Sequence, residues 1–232
     1  MIKNNERNAA NNLELINNLN SSVDYLLGRI EFVRREVLFQ MRYGSFAPAT
    51  NTDQLRSKVE IVNPEKLAAA QEKGLRINLG CGHVIFDDYL NIDRRKLPGV
   101  DVVAEADNLP SNINELVEIY SAHFLEHFPE EQLRRELLPY YFSLLKKGGV
   151  FRAVVPDAQA MIMKYSEGDY PYNNLREVIY GSQDYDGDFH FNMFTPESLE
   201  HLLVEVGFRD IKIPVRGRKN GECYEFEISC LK

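Results

Sequence analysis

Three of the five histidines in this chain fall in two short segments, Ser121-Ala-His123-Phe-Leu-Glu126-His127 and Asp188-Phe-His190-Phe. Imidazole and carboxylate groups at this spacing support two chemistries. In one, His190 or His123 is a general base that takes the proton of a hydroxyl too weakly acidic to ionise unaided, and Glu126 orients a histidine by hydrogen bonding. In the other, His123, Glu126, His127 and His190 are ligands of a divalent cation that acidifies the hydroxyl instead. A structural role is also open, in which Glu126 and His127 cap the following helix. The spacing His-x-x-Glu-His matches an inverted zinc-protease motif, but that motif needs one continuous helix and here it starts at the end of a strand.

The elements that must position these groups are organised around residues 75–107. Leu75, Ile77 and Leu79 alternate into a Gly80-Cys81-Gly82 turn, and the next apolar run, Tyr89 to Ile92, stops at Asp93. Glycine reaches positive φ and admits a ligand close to the backbone, so a strand ending in Gly-x-Gly suits a nucleotide-like ligand at its carboxyl end. An acid closing the following strand can accept hydrogen bonds from both hydroxyls of a ribose, which is the role expected of Asp93. Asp107, after a third strand over residues 100–104, is expected to hold an adenine amino group, with Leu109 beside the ring. Taken singly, Gly-x-Gly is an ordinary tight turn; the three strand-end signals in order point to a nucleoside site.

Asn78-Leu-Gly-Cys-Gly-His83, Asn91-Ile-Asp-Arg-Arg95, Glu105-Ala-Asp-Asn-Leu-Pro110, Ser121 to His127, Leu144-Leu-Lys-Lys-Gly-Gly149 and Val154-Val-Pro-Asp157 resemble the successive motifs of class I S-adenosylmethionine-dependent methyltransferases. The likeness is closest to a small bacterial branch associated with polysaccharide biosynthesis, in which an HxLEH element follows the fourth strand. It spans residues 76–231. It implies an α/β fold, a Rossmann-like doubly wound seven-stranded sheet with an antiparallel C-terminal strand. It implies S-adenosylmethionine as cofactor, held by Leu79, Gly80, Cys81, Gly82, Asp93, Ala106, Asp107, Leu109 and His123, with His123, Glu126, His127 and His190 as catalytic residues. The expected acceptor is a sugar or glycan hydroxyl. Where this family often has a third glycine, this chain has His83 or Val84, and His83 is a candidate to line the same cleft. The cluster is also similar to the E-x-x-E-H site, completed by a later histidine, of some metal-dependent methyltransferases acting on small RNAs. His123 replaces the first glutamate, a departure that disfavours magnesium, which prefers oxygen ligands.

At 232 residues the chain can hold one α/β domain and an appendage, and its 44% hydrophobic and 27% charged residues are those of an ordinary water-exposed protein. The formal charge of −8 argues against nucleic-acid binding. Basic clusters at Arg94-Arg95-Lys96 and Arg216-Gly-Arg218-Lys219 read as solvated loops, the second also as a site for an anionic acceptor. Three cysteines, Cys81, Cys223 and Cys230, lack C-x-x-C spacing and read as reduced thiols of a cytoplasmic protein. No signal peptide or transmembrane run is legible.

Three regions are expected: an N-terminal helix with a heptad seam over residues 1–43, a linker over 44–63 and the catalytic domain over 64–232. The first 12 residues are polar and asparagine-rich and are expected to fray. Ile16, Leu19, Val23, Leu26, Ile30, Val33 and Val37 then recur at intervals of three and four, a coiled-coil seam whose β-branched a positions favour a parallel homodimer. The same stripe could instead pack on the chain's own catalytic domain or on another protein. Pro64 opens a short helix to Lys73, expected to cover the cofactor. Pro129 to Leu145 has helical spacing with a stop at Gly148, and Pro196 to Val206 forms the last helix, ended by Gly207. Residues 157–195 carry eight aromatics, Tyr165, Tyr170, Tyr172, Tyr180, Tyr185, Phe189, Phe191 and Phe194, a composition that suits stacking on a carbohydrate or, equally, an aromatic subcore. A hairpin, residues 210–215 and 224–231 joined by a loop, closes the chain. Two other functions compete. One is a catalytically silent module of the same fold, acting as a coiled-coil partner in a glycan-assembly complex. The other is an NAD-dependent oxidoreductase, which lacks the full G-x-G-x-x-G.

Overall fold

The computed structural model describes residues 2–43, 59–185 and 187–232. Most of the expected linker, residues 44–58, lies outside them. The chain divides into two units, residues 1–55 and 56–232.

The first unit is one helix, α1 (Ile2–Tyr43). Its backbone is helical from Ile2, although the polar start offers no apolar stripe to bury. Ser21 and Ser22 turn their hydroxyls back to the carbonyls of Asn17 and Asn18, which satisfies them within the helix. Glu31 bridges Arg34 and Arg35 one turn on. The seam residues Ile16, Leu19, Val23, Leu26, Ile30, Val33 and Val37 are all exposed.

The second unit holds an eight-stranded sheet in the order β1-β4-β3-β2-β5-β6-β8-β7. The strands are β1 (Glu60–Ile61), β2 (Arg76–Leu79), β3 (Leu90–Asp93), β4 (Val102–Val103), β5 (Leu116–Ala122), β6 (Leu145–Pro156), β7 (Arg209–Asn220) and β8 (Cys223–Leu231). The five strands from β4 to β6 run parallel, and β8 enters antiparallel beside β6, as the reversed terminal strand requires. The eighth strand is β1, antiparallel on β4, formed by a segment read as linker. Two residues give no period to detect.

Helix α2 (Pro64–Lys73) starts with Asn63 capping the Lys66 amide, and it buries Leu67. It does not line the central cavity described below. Lys66 instead reaches Asp101 at 2.8 Å, joining a buried polar network. There Asn78 donates to Asn91 and to the Val84 carbonyl, and Asn91 donates to Asp101 and the Phe86 carbonyl, which ties the loop after β2 to β3.

The segment expected as one helix is broken in register. It comprises α3 (Glu130–Gln132), a π-helical turn (Leu133–Leu137) and α4 (Leu138–Leu144). Pro139 explains the bulge, since it has no N–H to donate and its ring would strike the carbonyl four residues back. The helix ends at Leu144, and β6 starts at once. Gly148 therefore sits inside a strand, at φ +74°, and is not a helix stop. Three helices follow: α5 (Ala158–Ser166), α6 (Tyr172–Tyr180) and α7 (Pro196–Val206). A reciprocal Thr195–Ser198 capping box starts α7, and Gly207 ends it in the left-handed region.

The C-terminal hairpin is longer than its sequence suggests. Arg216 to Asn220, read as loop, continues β7, and only Gly221 and Glu222 make the turn. Register shifts at three points along β7 bend this edge strand, which with its charges protects an otherwise open sheet edge. The core beneath is dominated by fully buried Tyr141, Phe151, Phe226 and a run of Ile and Leu from β2, β3 and β5. Each such side chain contributes about 1.5–3 kcal/mol by leaving water.

Candidate active site

The chain winds outward from β2 to β4, then returns to the other side of β2 as β5. The carboxyl ends of β2 and β5 thus flank the topological switch point, where open α/β sheets bind their ligands. A cavity of about 240 Å³ lies there, lined among others by Leu79, Gly80, Ile92, Asp93, Ala104, Glu105, Ala106, His123, Phe124 and His127. Arg95, Phe128, Tyr185, Gly187 and Phe191 complete its wall.

The glycine turn is shaped by contact as well as by φ. Gly80 has φ +66°, and a Cβ on it would come within 2.3 Å of the Phe124 ring. Gly82, at φ +51°, donates its amide to Asp93 Oδ2 at 2.9 Å. The buried Asp93 carboxylate also accepts from the Arg95 amide and Nε on Oδ1, at 2.8 and 3.2 Å. Of roughly four lone-pair positions on a carboxylate, one on Oδ2 is left, and withdrawal of the Arg95 side chain would release a second. The Arg95 guanidinium stacks on Tyr185 at 4.2 Å, so these two residues form a latch across the acid.

His123 follows β5 with φ +49°, a left-handed conformation uncommon outside glycine and asparagine. Its Nε2 meets Glu225 Oε2 at 2.9 Å, and its Nδ1 lies 3.5 Å from Glu126 Oε1. Burial works against a charged imidazole, but the two carboxylates outweigh it and raise the His123 pKa to about 9. His123 is therefore an imidazolium at neutral pH, with no lone pair to accept a proton or bind a cation. Glu225 is buried yet fully engaged, accepting from Arg218, Asn220 and His123; burial is the largest single influence and raises its pKa, but these bonds together outweigh it and hold the pKa down.

Glu126 and His127 lie in a single 3₁₀ turn (Leu125–His127). The Glu126 carbonyl accepts the amides of Phe191 and Asn192, and the Asn192 side chain donates to the Phe128 carbonyl, which fastens the segment carrying His190 over this turn. His127 Nδ1 lies 3.1 Å from the Phe189 carbonyl, and His190 Nδ1 lies 2.6 Å from the Val178 carbonyl. The two rings meet edge to face, 4.8 Å between centroids. Burial, with the neighbouring His127, lowers the His190 pKa and keeps this ring neutral.

The structure thus brings His123, Glu126, His127 and His190 together, and it puts Leu79, Gly80, Asp93, Ala106 and His123 on the cavity wall. Gly82 reaches the site through its amide. Cys81 is turned into a small apolar cluster with Val100 and Val103, and burial first, then Asp93, lifts its thiol to about 12. Asp107 is exposed and Leu109 is in the core, both outside the cavity lining, as is the exposed His83. The aromatics divide: Tyr185 and Phe191 line the cavity, Tyr170 and Phe194 are buried, and Tyr165 and Tyr172 pack on one another at the surface. The basic clusters are largely neutralised, by Lys96–Glu60, Arg216–Glu197 and Arg218–Glu225 pairs among others.

Arg95, Phe124 and Glu225 were not legible as site residues. For Glu225 the alternation in Tyr-Glu-Phe-Glu-Ile sets the acid opposite the core residues Phe226 and Ile228, and its burial against His123 comes from the pairing of β6 with β8.

No family model matches the chain, and no curated protein does. Solved structures do. An S-adenosylmethionine-dependent methyltransferase from Archaeoglobus fulgidus is 17% identical, with 71% of this chain and 92% of that one covered at a TM-score of 0.48. One from Thermotoga maritima is 18% identical, over 74% and 90%, at 0.47. The 1,6-didemethyltoxoflavin-N1-methyltransferase of Burkholderia thailandensis, with S-adenosylhomocysteine bound, is 11% identical over 88% and 89%, at 0.46. Likenesses of this size leave activity and substrate to be argued from the side chains of this chain. Among the described residues no helix is long and apolar enough to cross a membrane.

Proposed function

We propose that the chain is an S-adenosylmethionine-dependent methyltransferase acting on a sugar or glycan hydroxyl. The observation that carries this reading is the cavity at the switch point, with Gly80 and Gly82 on one side, buried Asp93 on the next strand end and a histidine–carboxylate cluster across it. These residues fit the cofactor: the glycine turn admits a ligand to the backbone, and Asp93 has acceptor positions suited to a ribose diol once the Arg95 side chain withdraws. When bound, S-adenosylmethionine supplies an electrophilic methyl group on a sulfonium.

Phe124, Phe128 and Phe191 would exclude water from the transfer, and Tyr185 and Phe191 offer ring faces to a sugar. His123, fixed by Glu225 on one ring nitrogen, would hold Glu126 in place through the other, and Glu126, His127 and His190 form the cluster that would meet the acceptor hydroxyl. A role in surface polysaccharide biosynthesis and a cytoplasmic location complete the proposal; the first comes from the motif resemblance, the second from cysteines that read as reduced thiols. The exposed seam of α1 supports a parallel homodimer, and it equally favours a second reading, a catalytically silent module that works as a helical partner in a glycan-assembly complex.

Calorimetry of S-adenosylmethionine and S-adenosylhomocysteine with wild type and Asp93→Asn tests the proposal. Micromolar binding, weakened at least tenfold by Asp93→Asn, is expected, followed by methyl transfer in a screen of sugar nucleotides and glycans. A folded wild type that binds neither compound refutes the enzyme and leaves the partner reading.

A further inference from the structure

We infer that Glu126, His127 and His190 bind one divalent transition-metal ion, of the zinc or cobalt type, at the wall of the cavity. Each offers a ligand atom, and these atoms lie within 4.8 Å of one another.

Three observations point to a cation. The Glu126 side chain is 1% exposed, and neither of its carboxylate oxygens has a hydrogen-bond partner among the described residues. A buried carboxylate left this way costs several kcal/mol in general unless something charged meets it. His123 approaches it at 3.5 Å, Nδ1 to Oε1, a long contact that leaves Oε2 open to a cation. Second, the two imidazoles are each tied at Nδ1 to a backbone carbonyl, of Phe189 and of Val178. Carbonyl oxygens accept only, so both Nδ1 atoms carry the proton and both Nε2 atoms keep a lone pair. This is the outer-sphere pattern that fixes the tautomer of metal-binding histidines. Third, the turn carrying Glu126 and His127 and the segment carrying His190 are held together by backbone hydrogen bonds from Phe191 and Asn192 to the Glu126 carbonyl, independently of any ion.

The ligand types choose the metal. Two imidazoles and one carboxylate suit zinc, cobalt, nickel or ferrous iron, whereas magnesium wants an oxygen shell. His123 drops out of the set because its two ring nitrogens face the carboxylates of Glu126 and Glu225. Tetrahedral ligands with bonds of about 2.0–2.1 Å stand roughly 3.4 Å apart, so the most separated pair must close by about 1.4 Å from the 4.8 Å limit. In making that movement the Glu126 side chain gives up no more than its 3.5 Å contact with His123.

Three protein ligands leave a fourth position, and His127 on the cavity wall puts it within reach of a substrate. If the methyltransferase reading holds, an acceptor hydroxyl there would be acidified and lose its proton to water. Its oxygen lone pair would form the new O–CH₃ bond, as the S–CH₃ electron pair returns to sulfur to give a neutral thioether.

The test is titration of chelator-stripped protein with Co²⁺ followed by absorption spectroscopy, with Zn²⁺ and Mg²⁺ as competitors. S-adenosylhomocysteine calorimetry on the same metal-free samples runs in parallel. One equivalent of Co²⁺ should bind, be displaced by Zn²⁺ and not by Mg²⁺, and weaken by about tenfold or more in Glu126→Gln and in His190→Gln. His201→Gln, altered at an exposed helix position, should bind as wild type. Absence of stoichiometric Co²⁺ binding, or equal binding in Glu126→Gln and His190→Gln variants whose circular dichroism is native, overturns the inference. Co²⁺ binding without S-adenosylhomocysteine binding would sink the methyltransferase reading and leave the metal site standing; the reverse result would do the opposite.

Discussion

Replacing Gly80 by alanine probes the contact on which the cavity is built. The substitution has two separable costs. At φ +66° an L-residue pays about 1–2 kcal/mol for the left-handed conformation. The new Cβ would also stand 2.3 Å from the Phe124 ring, so the ring must move, and overpacking of this kind costs about 1–3 kcal/mol more. Phe124 is edge to face with Phe128 at 5.0 Å and lines the cavity, so the displaced ring loses that partner and intrudes on the ligand space. Gly148→Ala is the control, because Gly148 has φ +74° but nothing within 4 Å of its hypothetical Cβ. In urea denaturation Gly80→Ala should therefore fall below Gly148→Ala by about 1–3 kcal/mol, roughly 0.5–1.5 M in midpoint. Phe124→Leu, added to Gly80→Ala, should recover part of that difference as a coupling energy. Equal destabilisation by the two alanines, with no coupling to Phe124, would refute the argument that Gly80 is glycine for the sake of Phe124.

Metal-free wild type should lose stability as pH rises through 9. The folded state lifts the His123 pKa from 6.5 to about 9, so its stabilisation is complete below pH 6.5 and gone above 9. Solvent screening of this part-exposed ring reduces the effect to about 1–2 kcal/mol, and a His123→Gln variant with an unchanged pH profile between 6.5 and 9 would contradict it. Buried Cys81 and Cys230, each raised to about 12 chiefly by burial, should resist a thiol reagent at pH 8 in the folded protein and react on unfolding; fast native labelling of either would contradict its burial. Asp157 caps α5 through Ala160 N and accepts the Gly217 amide, so Asp157→Ala should cost about 2–4 kcal/mol in chemical denaturation, and a loss under 1 kcal/mol would show that one bond is dispensable.

Much of the fold is written locally. Apolar residues recur at period two at Leu75, Ile77 and Leu79 and at Leu90 and Ile92, with Leu116 and Ile119 in β5, and stop at Gly80, Asp93 and His123, so period and punctuation mark the strand ends correctly. The start and stop of α7 were equally legible, since Thr195, Pro196 and Gly207 act through their own backbone geometry. The hairpin was legible in kind and not in length: nothing local says that Arg216 to Asn220 pair with β8, because an exposed edge strand can be charged. The break in the helix at Pro139 was missed because spacing alone ignores one missing N–H.

The site divides in the same way. His123, Glu126 and His127 are near in sequence, so their clustering could be read; His190 joined them only by residue type. What the sequence could not give is the state of each group. His123 is cationic because Glu126, three residues on, and Glu225, 102 residues away, both meet its ring, and the second of these carries no local signal. Asp107 and Leu109 follow the third strand in the expected order, yet one faces solvent and the other the core, since the chain leaves the cavity wall after Ala106. Residue identity and order determined which chemistry the chain can attempt. Protonation, orientation and access were decided by long-range contacts, because charge burial and hydrogen bonding act through space and carry no signature along the chain.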